Sequence, residues 1–330
     1  MNQNQITKKI WHQLQKALVH SVISGGTLSM QYYRRPINSL IDDPNEALSK
    51  NPSTIADLHA TLAIIHALDD YIAPIAKEIS CDLHYLAEET RYRDWFRQKL
   101  PNDTFHRILT SNNFFSYTSG IRVIIDGIDG TGNFLRGIPL FCSSAAIFID
   151  DRLCISALYD PVHHVVYSGM LPGPDSDICK GAEAWEWQVS TNQQFDLIQT
   201  FGRESYDLSK EAIGIHFTRN SPAKLHDLIH EKEDHVKSTL ERLSNASGGL
   251  YAFNSGLTAM IAVARGAFGA YINHSTYPWD IAAGEVLVRA CGGNVTDFDQ
   301  HAISYDAESR INVIAARKQL YSEIVKIVAA

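Results

Sequence analysis

Apolar residues recur at three- and four-residue steps through Ile6, Ile10, Leu14 and Leu18, a spacing that predicts an amphipathic helix over residues 6–33. The Pro-, Asn- and Asp-rich stretch DDPNEALSKNPS at 42–53 reads as a loop. A second helical pattern follows it in LHATLAIIHALDDYIAPIA and is expected to stop at Pro74, whose ring cannot continue a helix. A short strand is expected over 81–86, and then a polar insertion of mixed helix and loop over 91–113. Short β-rich runs at 122–125, 143–149, 153–159 and 164–170, separated by turn residues, predict an antiparallel meander. Beyond the polar stretch 191–210 the pattern alternates, with strands expected at 213–218, 268–272 and 294–297 and helices at 221–242, 256–265 and 281–290. The change of texture places a soft boundary near residue 205, between an α+β domain (1–205) and an α/β domain (206–330).

Composition narrows this picture. A chain of 330 residues with 45% hydrophobic positions can build a substantial core. Its longest apolar runs, 143–149 and 257–264, fall far short of the roughly 20 residues of a membrane span. The N-terminus lacks an uninterrupted apolar core and a small-residue cleavage site, so it reads as a helix and not a signal. Five scattered cysteines without a C-x-x-C pair fit a reducing cytoplasm and argue against zinc. Lys plus Arg total 29 against 37 Asp plus Glu, a net charge of −8 with no basic block, which argues against nucleic acid as a partner. An acidic protein that handles an anion needs positive charge from elsewhere, and a bound metal is the usual source.

Four acidic motifs carry the candidate chemistry. In IIDGIDGTGNF, Asp126 ends an apolar run and Asp129 follows a turn later, among Gly127, Gly130 and Gly132. Converging carboxylates repel unless a cation lies between them, and an oxygen-only set suits Mg²⁺. The others are Asp280 in YPWDIAAGEV, Glu88-Glu89 in LAEET and Asp57 in STIAD. Taken singly, each is equally an ordinary Asp-Gly turn, a helix cap, an exposed acidic pair or a first-turn charge.

Taken in this order, the motifs resemble those of the inositol monophosphatase family of lithium-sensitive, Mg²⁺-dependent phosphatases. The family pattern D-P-[IL]-D-G-T-x-N-F is met by residues 126–134, and W-D-x-A-A-G with a later G-G by 279–284 and Gly292-Gly293. The elements T-x-x-D and G-E-E-[ST] resemble 54–57 and 87–90, and Asn254-Ser255 stands where a small pair is usual. The resemblance, spanning about residues 50 to 315, implies a layered αβαβα sugar-phosphatase fold with a large antiparallel sheet and a smaller mixed one. It implies that Glu88, Asp126 and the Ile128 carbonyl hold one Mg²⁺, that Asp126, Asp129 and Asp280 hold a second, and that a third ion binds near the glutamate. Glu88 and Thr131 would orient the attacking water, with Asp57 fixing the Thr131 hydroxyl. The amides of Gly130 and Thr131 would meet the phosphate, and Asn273 and Asp280 the substrate. The sequence departs from the pattern at Gly127, where the family has Pro and the turn is expected to be looser, and at Ala87, where it has Gly. The spacing from Asp57 to Glu88 is longer than usual, and Asn273 stands where inositol-cleaving members have an acidic residue.

These features predict a Mg²⁺-dependent phosphomonoesterase acting on a small polyol or sugar phosphate. Histidinol phosphate or fructose 1,6-bisphosphate rank next. 3′-Phosphoadenosine 5′-phosphate ranks below them, because nucleotide-directed relatives carry Lys-Glu-Phe where this chain has Gly-Asn-Phe. A non-catalytic binding member is the alternative from another class, disfavoured because the acidic ligands are all retained. A homodimer is implied by the resemblance alone. His163-His164 is expected at the surface, and Trp185 and Trp187 are expected to pack.

Overall fold

The computed structural model describes residues 8–36, 54–173, 181–197, 207–216, 237–305 and 310–329. The expected loop at 42–53, most of the expected helix at 221–242 and the boundary near 205 lie outside them.

Helix α1 (Lys8–Ser29) and helix α2 (Ile55–Glu78) pack side by side. Thr54 starts α2 with a reciprocal cap: its hydroxyl accepts from the amides of Ala56 and Asp57, and its own amide donates to Asp57 Oδ2 at 2.7 Å. The helix does not stop at Pro74 but runs through it to Glu78. The carbonyl deprived of its partner belongs to exposed Asp70, where water can satisfy it.

Among the described residues there are two sheets. The larger runs β1 (Leu83–Ala87), β2 (Ile121–Asp129), β3 (Cys142–Ile149), β4 (Arg152–Asp160), β5 (Val165–Met170), β6 (Glu183–Gln188) and β7 (Gln193–Asp196) in spatial order, antiparallel except for the parallel pair β1 and β2. Strand β2 outruns the expected 122–125 and reaches both aspartates, with a register shift between Asp126 and Asp129. β7 arises in a stretch expected to be irregular, because an exposed edge strand needs no apolar pattern.

The smaller sheet is mixed, as expected. Its order is β11 (Asn294–Thr296), β12 (Ile311–Ala316), β10 (Ala270–Thr276), β8 (Ala212–His216), β9 (Gly249–Tyr251), with β8 parallel to β10 and β9 and the other pairs antiparallel. A helical segment α7 (237–246), helix α8 (Gly256–Ala264), helix α9 (Ala282–Ala290) and helix α10 (Tyr321–Ala329) complete this half. β9, β12 and α10 were not expected from the sequence.

Strand alternation sets the layers. Ile121, Val123 and Ile125 of β2 meet α1 and α2, while Ile124 faces a second core shared with α8 and α9. On β12, Val313 and Ala315 face that same core, and Ile314 and Ala316 face a third one under α10. The stacking is therefore helix, sheet, helix, sheet, helix, with both sheets covered on both faces, which explains their continuous apolar runs. No helix among the described residues is long and apolar enough to cross a membrane.

The insertion after β1 folds as α3 (Arg93–Lys99), α4 (Asn102–Arg107) and α5 (Ser111–Ser116). Two polar side chains pin it down. Asp69 of α2 accepts from Thr104 Oγ1 at 2.6 Å and from Arg107. Arg122 of β2 is 4% exposed, its guanidinium between the rings of Phe114 and Phe148 and donating to the Phe114 and Asp150 carbonyls. Arg122→Met is expected to leave those carbonyls unpartnered and cost about 2 kcal/mol in urea unfolding. An unchanged midpoint would show that the insertion is held by apolar packing alone.

Candidate functional site

The carboxylates converge where the two sheets approach. Glu88 follows β1 directly, Asp126 and Asp129 lie on β2, Asp57 is in the first turn of α2, and Asp280 follows β10 in a short 3-10 turn, Pro278–Asp280. Oxygens of Glu88, Asp126 and Asp280 lie within 4.8 Å of one another. Both Asp126 oxygens are buried, and neither has a hydrogen-bond partner among the described residues. Its residue is 1% exposed, so bulk water does not reach it.

Three other carboxylates are gripped. Asp129 Oδ2 accepts from the Leu257 amide at 2.9 Å and from Ser255 Oγ, the residue that caps α8. Asp280 Oδ2 accepts from Thr276 Oγ1 at 2.8 Å and the Tyr277 amide at 3.1 Å. Asp57 Oδ2 takes the Thr54 amide and hydroxyl, leaving Oδ1 to accept from Thr131 Oγ1 at 2.8 Å. Thr131 can instead donate to the Ile128 carbonyl at 3.0 Å, but the charge-assisted bond to Asp57 is the stronger one. The neighbouring Glu89 accepts from Thr61 Oγ1 at 2.7 Å and so faces α2.

Burial, and then mutual repulsion, raise these acids. Glu88 and Asp126 are pushed well above the usual carboxylate range, by desolvation first and by the surrounding acids second. Asp129 rises to about 7 and Asp57 to about 6, both chiefly through burial and partly offset by their hydrogen bonds. Asp280 is raised by burial but drawn back by Thr276, Tyr277, His216 and Arg310.

Two glycines fit by necessity. Gly130 has φ +92°, and a Cβ there would meet Ser255 at 2.9 Å. Gly127 was expected to loosen the turn, but it is a strand residue pressed on α2. A Cβ there would sit 2.5 Å from Thr61 Oγ1 and 2.8 Å from the Asp57 carbonyl, and its own carbonyl accepts from Ser143 Oγ at 2.6 Å. Asn273, expected to meet the substrate, lies on β10. It is 3% exposed, its amide donating to the Tyr271 hydroxyl and accepting from the Ser275 amide, so neither end is presented to a ligand. The gripping residues Ser255 and Thr276 have no motif of their own, although Ser255 lay in a pair the sequence had marked.

An all-oxygen acid set around the buried, unpartnered Asp126 fits a hard divalent cation such as Mg²⁺. The architecture and the site together define a layered αβαβα protein with an acidic centre between its sheets. The chain belongs to the inositol monophosphatase family, whose model matches residues 11–330. The relative named Nus factor SuhB in Pasteurella multocida is 27% identical over 248 residues, covering 74% of this chain and 76% of that one. Its namesake in Haemophilus influenzae is 24% identical, covering 78% and 82%. The Thermotoga maritima IMPase structure matches with TM-score 0.65 at 19% identity, covering 94% of each chain. An IMPase/NADP phosphatase complexed with Mg²⁺ and phosphate matches with TM-score 0.56 at 22% identity, covering 83% of this chain and 81% of that one.

Burial of the acids in the metal-free site gives a pH signature. The unfolded acids ionise near 3.8, but Asp57 and Asp129 do so near 6 and 7 when folded, so the folded chain binds more protons in that window. Stability without metal should therefore fall as pH rises from about 4 to 7. Mg²⁺ should reverse the loss at pH 7 in a thermal-shift experiment. Asp126→Asn should raise the metal-free midpoint and abolish the Mg²⁺ response. A variant that still responds would remove Asp126 from the ligand set.

Proposed function

We propose that the chain is a Mg²⁺-dependent phosphomonoesterase acting on a small polyol or sugar phosphate. The observation that carries this reading is Asp126, buried without a partner and facing Glu88 and Asp280. Glu88, Asp126, the Ile128 carbonyl, Asp129 and Asp280 would hold two or three ions. Bound there, Mg²⁺ supplies the charge that neutralises phosphoryl oxygens and acidifies water.

The chain's own residues orient the reactants. Thr131, whose proton goes to Asp57, keeps its hydroxyl lone pairs free to accept from a water. Asp57, fixed on its far side by Thr54, holds that hydroxyl in one rotamer. The left-handed Gly130 turns the chain at the start of α6 (Thr131–Leu135), where the Gly130 and Thr131 amides would meet the phosphate. Asn273 orients Tyr271 in this scheme and does not itself touch substrate. The net charge of −8 supports a small ester over nucleic acid as the ligand. The division near residue 205, with most ligands before it and Asp280 after it, belongs to the same reading, as does a homodimer.

The name Nus factor, carried by several relatives, favours a second reading, in which the chain serves as a binding member. Phosphate release decides between them. Native protein with Mg²⁺ should release phosphate from a panel of phosphate esters. Thr131→Val should cut kcat about 100-fold and Asp129→Asn should abolish turnover, both with folding retained. Release from none of the esters would leave the binding reading.

A further inference from the structure

The register of the small sheet sets an arginine beside the acidic centre. Thr276 of β10 pairs with Ile311 of β12, so the next residues outward, Tyr277 and Arg310, lie opposite each other across the antiparallel ladder. The Arg310 guanidinium lies 3.7 Å from the Tyr277 ring centroid. The Tyr277 ring in turn stacks on Trp279, centroids 4.9 Å apart and planes at 19°. The guanidinium thus lies over a two-ring platform, and among the described residues no hydrogen bond or ion pair occupies its N–H groups.

This platform belongs to the site. The Tyr277 amide and Thr276 hydroxyl grip Asp280, and Trp279 precedes it. Arg310 is near enough to favour the charged form of Asp280, yet it is exposed and forms no ion pair among the described residues. On the parallel neighbour β8, His216 pairs with Asn273, and its buried Nδ1 has no hydrogen-bond partner among the described residues. The end of the small sheet therefore places two nitrogen-bearing side chains around Asp280 that the phosphate-and-metal scheme does not use.

We infer that Arg310 reads a second anionic group on the alcohol part of the substrate, so that the preferred esters carry a carboxylate or second phosphate besides the one cleaved. This inference rests on the phosphate-ester reading above and deepens it. The fixed guanidinium fork pairs with such a group bidentately, and the neutral hydroxyls of a simple polyol give it no equivalent.

A matched pair of esters tests it. D-3-phosphoglycerate and sn-glycerol 1-phosphate share their configuration and differ by a carboxylate in place of a hydroxymethyl group. Native protein with Mg²⁺ should favour the carboxylate ester roughly three- to tenfold in kcat/KM, mainly through KM. Arg310→Ala should bring the ratio near one, and Arg310→Lys should restore part of it. Calorimetric affinities for the same pair read the ratio even without turnover. An Arg310-dependent preference in binding with no hydrolysis would overturn the hydrolase reading and support this one. Hydrolysis with no native preference, or with a ratio unmoved by Arg310→Ala, would overturn this one. Equal loss of kcat on both esters would also overturn it, by reducing Arg310 to a positioning residue for Asp280.

Discussion

Electrostatic repulsion within one small volume is the constraint on which the rest of the structure depends. Glu88, Asp126, Asp129 and Asp280 come from two sheets and three chain segments, and burial removes the water that would otherwise screen them. An apolar protein core cannot tolerate several such charges unaided. The five-layer stack tolerates them because its separate cores anchor the strands that bear the acids, so the site cannot relax by letting one strand slide away. Stability is surrendered locally and recovered in the layers, a common arrangement at functional sites.

Each gripped acid is aimed by a hydroxyl. Thr54 and Thr131 hold Asp57, Ser255 holds Asp129, and Thr276 holds Asp280. Asp126 has no such partner among the described residues, so the orientation of the centre converges on a carboxylate left for a cation to satisfy.

Much of this was legible in the sequence, for identifiable reasons. Strands covered on both faces read as continuous apolar runs, and the residues of the acidic motifs are few in type and closely spaced. What escaped notice depended on distant partners. β7 is a polar edge and β9 is three residues long, so neither has a periodic signal. The apolar run Ile311–Ala316 is compatible with either strand or helix until Tyr271 and Ile272 are seen beside it. Pro74 did not end α2, because the exposed side of a helix can lose one hydrogen bond to water. Asn273 looked available because the chain alone does not reveal that Tyr271 and Ser275 already occupy its amide.

Gly127 carries a consequence for how this chain can change. The volume a side chain would occupy there is already filled by Thr61 and the Asp57 carbonyl, so the proline of the family pattern cannot enter by a single substitution. Its acceptance depends on what stands at position 61 and on how closely α2 approaches β2. Residues 61 and 127 therefore form a coupled pair across helix and strand, and substitutions there should succeed or fail according to the order in which they are made.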